Sequence, residues 1–139
     1  MDMIDIVKKA TGVSPIETYI GDINLFAVYD NEEIISKIEP DFEAVLGLDG
    51  QGLIISAHSN QYDFVSRYFC PKYGINEDPV TGSAHTTLIP YWANKLNKDS
   101  LTAKQVSKRG GELFCRNLKE RVLIGGNAVL YMKGTIDIN

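Results

Sequence analysis

The sequence predicts an α+β domain in which antiparallel strands form a barrel-like sheet around one buried central helix, about Gly82 to Leu96. Three observations carry that expectation. Residues 79–94, PVTGSAHTTLIPYWAN, contain no Asp, Glu, Lys or Arg, and their apolar groups point almost all round a helix, which marks a helix enclosed on every side. Short β-branched and aromatic segments lie on either side of it, separated by glycine-containing turns. No run of alternating strand and helix is visible, which argues against a doubly wound parallel sheet. The 139 residues contain no linker and no internal repeat, so a single domain over 1–139 is expected.

The elements follow in order. Met3, Ile6, Val7 and Ala10 recur at helical spacing and stop at Gly12, which predicts a short amphipathic helix. Residues 17–20 and 24–29 read as two strands joined at Gly21-Asp22. Residues 32–38 and 41–46 suit short helices, and after the Asp49-Gly50-Gln51-Gly52 break a strand resumes at 53–57. Over 62–69, Phe64, Ser66 and Tyr68 share one face and Val65, Arg67 and Phe69 the other, which is strand periodicity. Residues 103–107, 112–117, 121–124 and 128–138 are the remaining strand candidates. Pro90 removes one hydrogen bond inside the central helix and is expected to kink it, with Thr86 or Thr87 placed to take up the freed carbonyl.

Composition excludes several classes. With 44% hydrophobic and 23% charged residues the chain is neither disordered nor fibrous. No apolar run approaches the ~18 residues of a membrane span, and the acidic start, Met1-Asp2-Met3-Ile4-Asp5, lacks the basic region of a secretory signal, so a cytoplasmic protein is expected. Two cysteines, Cys70 and Cys115, and two histidines cannot build a zinc site at any familiar spacing, so two reduced thiols and no metal are expected. Residues 1–70 carry 4 Lys/Arg against 12 Asp/Glu and residues 71–139 carry 10 against 6, so −8 and +4 make up the net −4. An anionic ligand belongs with the second half. The acidic pI near 5.1 and the lack of a basic run beyond Lys108-Arg109 argue against a nucleic-acid partner.

The start of the central helix is the candidate site. A helix N-terminus offers unpaired N–H groups and partial positive charge, so Thr81-Gly82-Ser83 suits a carboxylate or phosphate cradle. The same residues also suit a capped buried helix, with Thr81 or Ser83 as cap and Gly82 filling a tight turn. Spacing excludes a P-loop and a nucleophile elbow. Asp78, just outside the helix beside Pro79, is positioned for proton transfer to a ligand held there, or serves as a turn aspartate. His85, one turn in, orients Asp78 or packs in the core, and Glu77 is expected to face solvent.

Four spaced blocks carry a resemblance: Arg67-Tyr68-Phe69-Cys70-Pro71; Gly74-Ile75; Glu77-Asp78-Pro79-Val80-Thr81-Gly82-Ser83-Ala84-His85; and the run from Ala103 to Gly111. Together they resemble the signature blocks of the PhzF-like isomerases of phenazine biosynthesis, over essentially the whole chain. The resemblance implies half of a diaminopimelate-epimerase-like fold, in which two similar halves each wrap strands around a central helix. It also implies a cofactor-free proton shift, the chemistry of an isomerase or epimerase, on a small carboxylate-bearing substrate held at the helix N-termini. By resemblance Asp78 is the acid/base residue of the second half, where the amino-acid epimerases carry their second catalytic cysteine. Ser83 is its possible catalytic neighbour, and Thr81, Gly82, Ser83, Ala84 and His85 form the substrate-contacting turn. The family's principal acid/base glutamate belongs to the first half, and nothing in residues 1–60 resembles that block; His58 and Glu43 do not fill the role. The chain therefore resembles the C-terminal half of a two-domain protein and is expected to be inactive alone. Its expected partner is the missing N-terminal half or a second copy in a homodimer. A module that only binds a carboxylate or pairs with another chain is the competing expectation.

Overall fold

The computed structural model describes residues 2–139. Helix α1 (Met3–Thr11) ends at Gly12, whose φ of 76° lets its N–H close on the Lys8 carbonyl, and Lys8 and Lys9 sit in the last turn where cations are favoured. Strands β1 (Glu17–Ile20) and β2 (Asn24–Val28) form the expected hairpin. Two short helices follow, each with a side-chain cap: Asn31 accepts from the Ile34 N–H at the start of α2 (Glu32–Lys37), and Asp41 accepts from Glu43 and Ala44 at the start of α3 (Phe42–Leu46). Then come β3 (Gly52–His58), β4 (Phe64–Phe69), one turn of 3₁₀ helix at Pro71–Tyr73, α4 (His85–Leu96), β5 (Ser100–Gln105), β6 (Gly111–Asn117) and β7 (Val122–Gly125).

The seven strands lie side by side in chain order in one mixed sheet. The antiparallel expectation holds for four neighbouring pairs but not for β2/β3 and β4/β5, which are parallel. A parallel neighbour needs a crossover long enough to return the chain to the starting end. The segment carrying α2 and α3 supplies the first crossover and the segment carrying α4 the second. Helices α1 to α3 therefore cover one face of the sheet and α4 the other.

That arrangement makes two cores. Leu53, Ile55, Ala57, Val65 and Phe69 pack toward Val7, Ala10, Ile35, Ile38 and Val45. Ile54, Phe64, Ala103, Leu113 and Cys115 pack toward Leu88, Ile89 and Trp92 of α4. Covered on both faces, β3 is buried continuously from Gly52 to Ala57 rather than at alternate positions. Trp92 stacks on Phe64 at 5.8 Å between ring centroids and donates its indole N–H to Ser56 Oγ at 2.9 Å, so the largest core side chain leaves no polar group unpaired. Cys70 and Cys115 are buried free thiols.

Three expectations need correction. First, the sheet is open, not a barrel: β1 and β7 end it and do not pair. Both edges nevertheless reach α4, through Glu17 to Tyr91 and Lys95 at one side and Val122 at the other. Second, because nothing closes that gap, α4 is not enclosed all round: Thr86, Pro90 and Asn94 lie exposed on one stripe that continues from Gly82 and Ser83. Pro90 faces outward there, and the Thr86 hydroxyl donates to the Ser83 carbonyl at 2.7 Å. The helix itself begins at His85, after an i→i+3 turn over residues 82–84. Third, residues 128–138 form no strand and lie in solvent.

The Glu17 carboxylate on β1 accepts from Lys95 Nζ at 2.8 Å, Tyr19 at 2.6 Å and Tyr91 at 2.9 Å. Lys95 first, then the two hydroxyls, pull its pKa from 4.5 down to about 2. A carboxylate depressed in the folded state stabilises above its unfolded pKa and loses that contribution as pH falls through the folded one. Stability should therefore fall by about 1–2 kcal/mol, after solvent screening, between roughly pH 4.5 and 2 on this account. Glu17→Gln should flatten this limb in urea titrations at successive pH values; an unchanged acid limb would remove Glu17 as its cause.

Candidate active site

Asp78 is half-buried at the end of the loop that leads into α4, and its backbone N–H donates to the Tyr68 carbonyl at 3.1 Å. One carboxylate oxygen, Oδ2, accepts a short hydrogen bond from the Thr81 hydroxyl. Oδ1 has no protein partner among the described residues, so the carboxylate is anchored at one oxygen and open at the other. Such a group is fixed in position and still able to take or give a proton.

Gln105, at the end of β5 and 1% exposed, holds this loop in place. Its Oε1 accepts from the Thr81 N–H at 2.7 Å, while Nε2 donates to the Asp78 carbonyl at 2.8 Å and the Thr81 hydroxyl at 3.1 Å. His85 ties the same loop from the other side, its Nδ1–H donating to the Thr81 carbonyl at 2.7 Å. The imidazole is fully buried beside Phe64, so it sits on the core side of the helix. Burial lowers its pKa below the ordinary 6.5, and its Nε2 has no partner among the described residues.

Gly82 and Ser83 are exposed and Ala84 is buried. Among the described residues, the N–H groups of all three lack an acceptor, as expected for the first turn of a helix. A Cβ at Gly82 would meet nothing within 4 Å, so packing does not require glycine there, and the position faces open space. That space opens into a groove of about 550 Å³ whose walls include Val80, Gly82, Arg109, Gly111 and Glu112. Gly111 does answer to packing, since a Cβ would come within 2.4 Å of Val80. A larger cleft of about 880 Å³ lies over the other face of β5 and β6. Two of its polar pairs are internal, Lys98 with Asp63 at 2.7 Å and Tyr62 with Glu112, and no helix N-terminus is part of its lining.

Thus Asp78 and Thr81 come together as one network, Gly82 lines the groove, Ser83 is exposed, and the side chains of Ala84 and His85 are buried. Glu77 is not solvent-facing: Arg67 grips it with two hydrogen bonds of 2.8 and 3.0 Å while also donating to the Ile35 and Ile38 carbonyls. This fork fastens the loop before Asp78 to the α2 side of the sheet. Burial, then the negative charge of Asp78, pushes the Cys70 thiol up, which leaves it protonated near neutral pH and unsuited to proton abstraction. Sequence reasoning assigned no role to Gln105 or Arg109. Gln105 is discernible only as a polar residue in the inward phase of a strand, after Leu101 and Ala103.

An open sheet with one helix packed in its concavity, and a carboxylate beside that helix's free N-terminus, defines the class of domain. The family model for phenazine biosynthesis-like proteins, PhzC-PhzF, matches residues 4–134, and the chain belongs to that family. It is 48% identical over 133 residues to an uncharacterized isomerase of Pseudomonas aeruginosa, covering 96% of this chain and 51% of the relative. It is 35% identical to the human phenazine biosynthesis-like domain-containing protein, covering 95% and 52%. The crystal structure of a PhzF-family protein from Enterococcus faecalis superposes with a TM-score of 0.89 at 49% identity, over 96% of this chain and 52% of that one. The chain spans about half the length of the curated relatives it matches. Among the described residues no helix is long and apolar enough to cross a membrane.

Proposed function

We propose that this chain is the half of a PhzF-like isomerase that carries Asp78 and the helix-N-terminal cradle, and that with a complementary half it catalyses a proton shift on a small carboxylate. The observation that supports this best is an anchored, half-open carboxylate bonded to Thr81, directly ahead of three residues whose N–H groups have no acceptor among the described residues and the first of which, Gly82, lines a groove. The substrate carboxylate would accept from the N–H groups of Gly82, Ser83 and Ala84, with Arg109 adding positive charge along the wall. One acid/base group removes a proton from a substrate carbon; the electron pair delocalises toward the adjoining unsaturated group, and a second group returns a proton at another position or on the other face. Asp78 is one of these groups. The other is expected from the portion of the family that this chain does not span, so the chain alone should show no turnover. The chemistry as written calls for no cofactor.

The competing reading is a module that only binds carboxylates, and it rests on the N–H groups alone. Calorimetric titration with benzoate, phenylpyruvate and a set of L-amino acids tests the feature both share. Some member should bind, and Gly82→Ala should weaken it at least tenfold by filling the open space at that position while leaving the melting temperature unchanged or slightly raised. No binding across the panel would remove the cradle. Deuterium incorporation from D₂O at a substrate carbon, seen only when the complementary half is present, would separate the isomerase from the binding module.

A further inference from the structure

Among the described residues two buried side-chain atoms have no hydrogen-bond partner, His85 Nε2 and Ser66 Oγ. Neither residue is more than 2% exposed, and buried polar groups are nearly always paired, so two orphans in one core call for an explanation. Both belong to the α4 face of the sheet. Ser66 lies between Phe64 and Tyr68 in the phase that packs against α4, and it is the register partner of Gln105, whose amide reaches Thr81. His85 lies against Phe64, with ring centroids 5.9 Å apart, and it reaches Thr81 as well.

The imidazole stands in for the backbone. In a regular α-helix the Thr81 carbonyl would accept from the His85 N–H four residues on. Here that N–H donates to the Gly82 carbonyl at 3.0 Å, and the imidazole takes its place on Thr81 at 2.7 Å. A carbonyl can only accept, so the proton sits on Nδ1. Burial keeps the ring neutral, and a neutral ring protonated at Nδ1 has a lone pair at Nε2 that calls for a donor. The Ser66 hydroxyl is a donor without an acceptor on the same face. The other buried donors there are taken: Ser56 Oγ donates to the Val65 carbonyl and the Trp92 indole to Ser56.

Thr81 connects this pair to the candidate site, since its hydroxyl donates to Asp78 Oδ2 and leaves Oδ1 free. We propose that Ser66 and His85 are positioning residues for Asp78: the Ser66 hydroxyl donates through one internal water to His85 Nε2, and His85 Nδ1–H fixes the Thr81 carbonyl, which keeps the Thr81 hydroxyl on Oδ2. A water is the natural bridge, because the two atoms share a core without bonding directly and internal waters collect on such groups. Neither residue touches substrate. Only the effect on proton transfer rests on the reading of Asp78 above; the bonding itself does not.

NMR of the ¹⁵N-labelled chain tests the bonding. The His85 ring should be a single neutral tautomer protonated at Nδ1, with a long-lived internal water beside it, and Ser66→Ala should move the Nε2 resonance toward that of an unbonded nitrogen while Nδ1 stays in place. Kinetics of the enzyme completed with the complementary half test the positioning. His85→Leu should lower kcat for deuterium incorporation by about 10²-fold with KM within about threefold of wild type, the pattern of a displaced catalytic group. His85→Asn, whose amide N–H replaces Nδ1–H, should recover at least tenfold of that loss. A proton on Nε2, an Nε2 resonance unmoved by Ser66→Ala, a wild-type rate in His85→Leu or equal losses in both His85 variants would each overturn the proposal. The NMR arm needs no change at His85, so it decides even where His85→Leu fails to fold. The expected tautomer and Ser66 dependence, in an enzyme that exchanges no substrate, would leave the hydrogen bonds in place and overturn the catalytic reading of Asp78 instead.

Discussion

Asp78→Asn is expected to lower the rate of carbon–deuterium exchange in the completed enzyme by on the order of 10²–10⁴-fold, the usual loss when a positioned general acid or base is removed. Asparagine is nearly isosteric and its amide oxygen can still accept from the Thr81 hydroxyl, so the loop and the Gln105 contacts should survive. What disappears is the ability to hold and release a proton at the free oxygen. The measurement is deuterium incorporation by NMR on the panel carboxylate that exchanges fastest, with affinity followed by calorimetry. Loss of exchange with affinity within about threefold of wild type would place Asp78 in the proton transfer. Unchanged exchange would show that the proton passes elsewhere, and loss of both with a lowered melting temperature would make Asp78 a structural aspartate.

Gln105→Leu should have the largest effect on stability of any polar-to-apolar change near the site. It deletes three hydrogen bonds at once and leaves the buried Thr81 N–H and the part-buried Asp78 carbonyl without their partners. Unsatisfied buried groups cost about 1–3 kcal/mol each, so a loss of roughly 2–4 kcal/mol is expected, or a drop of about 10 °C in melting temperature at this chain length. Gln105→Glu separates packing from hydrogen bonding, since it keeps an acceptor for Thr81 but gives up the donor to Asp78 and introduces a charge. Denaturation of both variants by urea checks this. A loss below about 0.5 kcal/mol for Gln105→Leu would show that water reaches the loop and that Gln105 does not hold it.

The two residues differ in how they could be found. Asp78 stands out in the sequence because it lies next to Pro79 and just ahead of a charge-free helix, a local arrangement with a local physical meaning. Gln105 lies 27 positions away and meets Asp78 only because the crossover through α4 lays β5 beside β4. The Arg67 fork on Glu77 is hidden for the same reason: the two carbonyls that share the guanidinium belong to α2 and the residue after it, 29 and 32 positions earlier in the chain. Contacts of that separation follow from topology, and the parallel pairings that set the topology have no short-range signal.

Local rules account for what the sequence determined by itself. Glycine at Gly12, the caps at Asn31 and Asp41, the Gly21-Asp22 turn and the two-residue alternation of 64–69 each act within a few residues, and each element formed close to where its pattern lies. The family blocks likewise placed Asp78, Gly82 and Ser83 at one helix end. Tertiary structure decided the rest: which strands run parallel, that the sheet stays open, which stripe of α4 remains uncovered, and that 128–138 has the pattern of a strand but no sheet to join. The last of these shows the reason. Alternation states that a segment has an apolar face to bury, whereas burial itself requires a second surface, and for this segment residues 2–139 do not provide one.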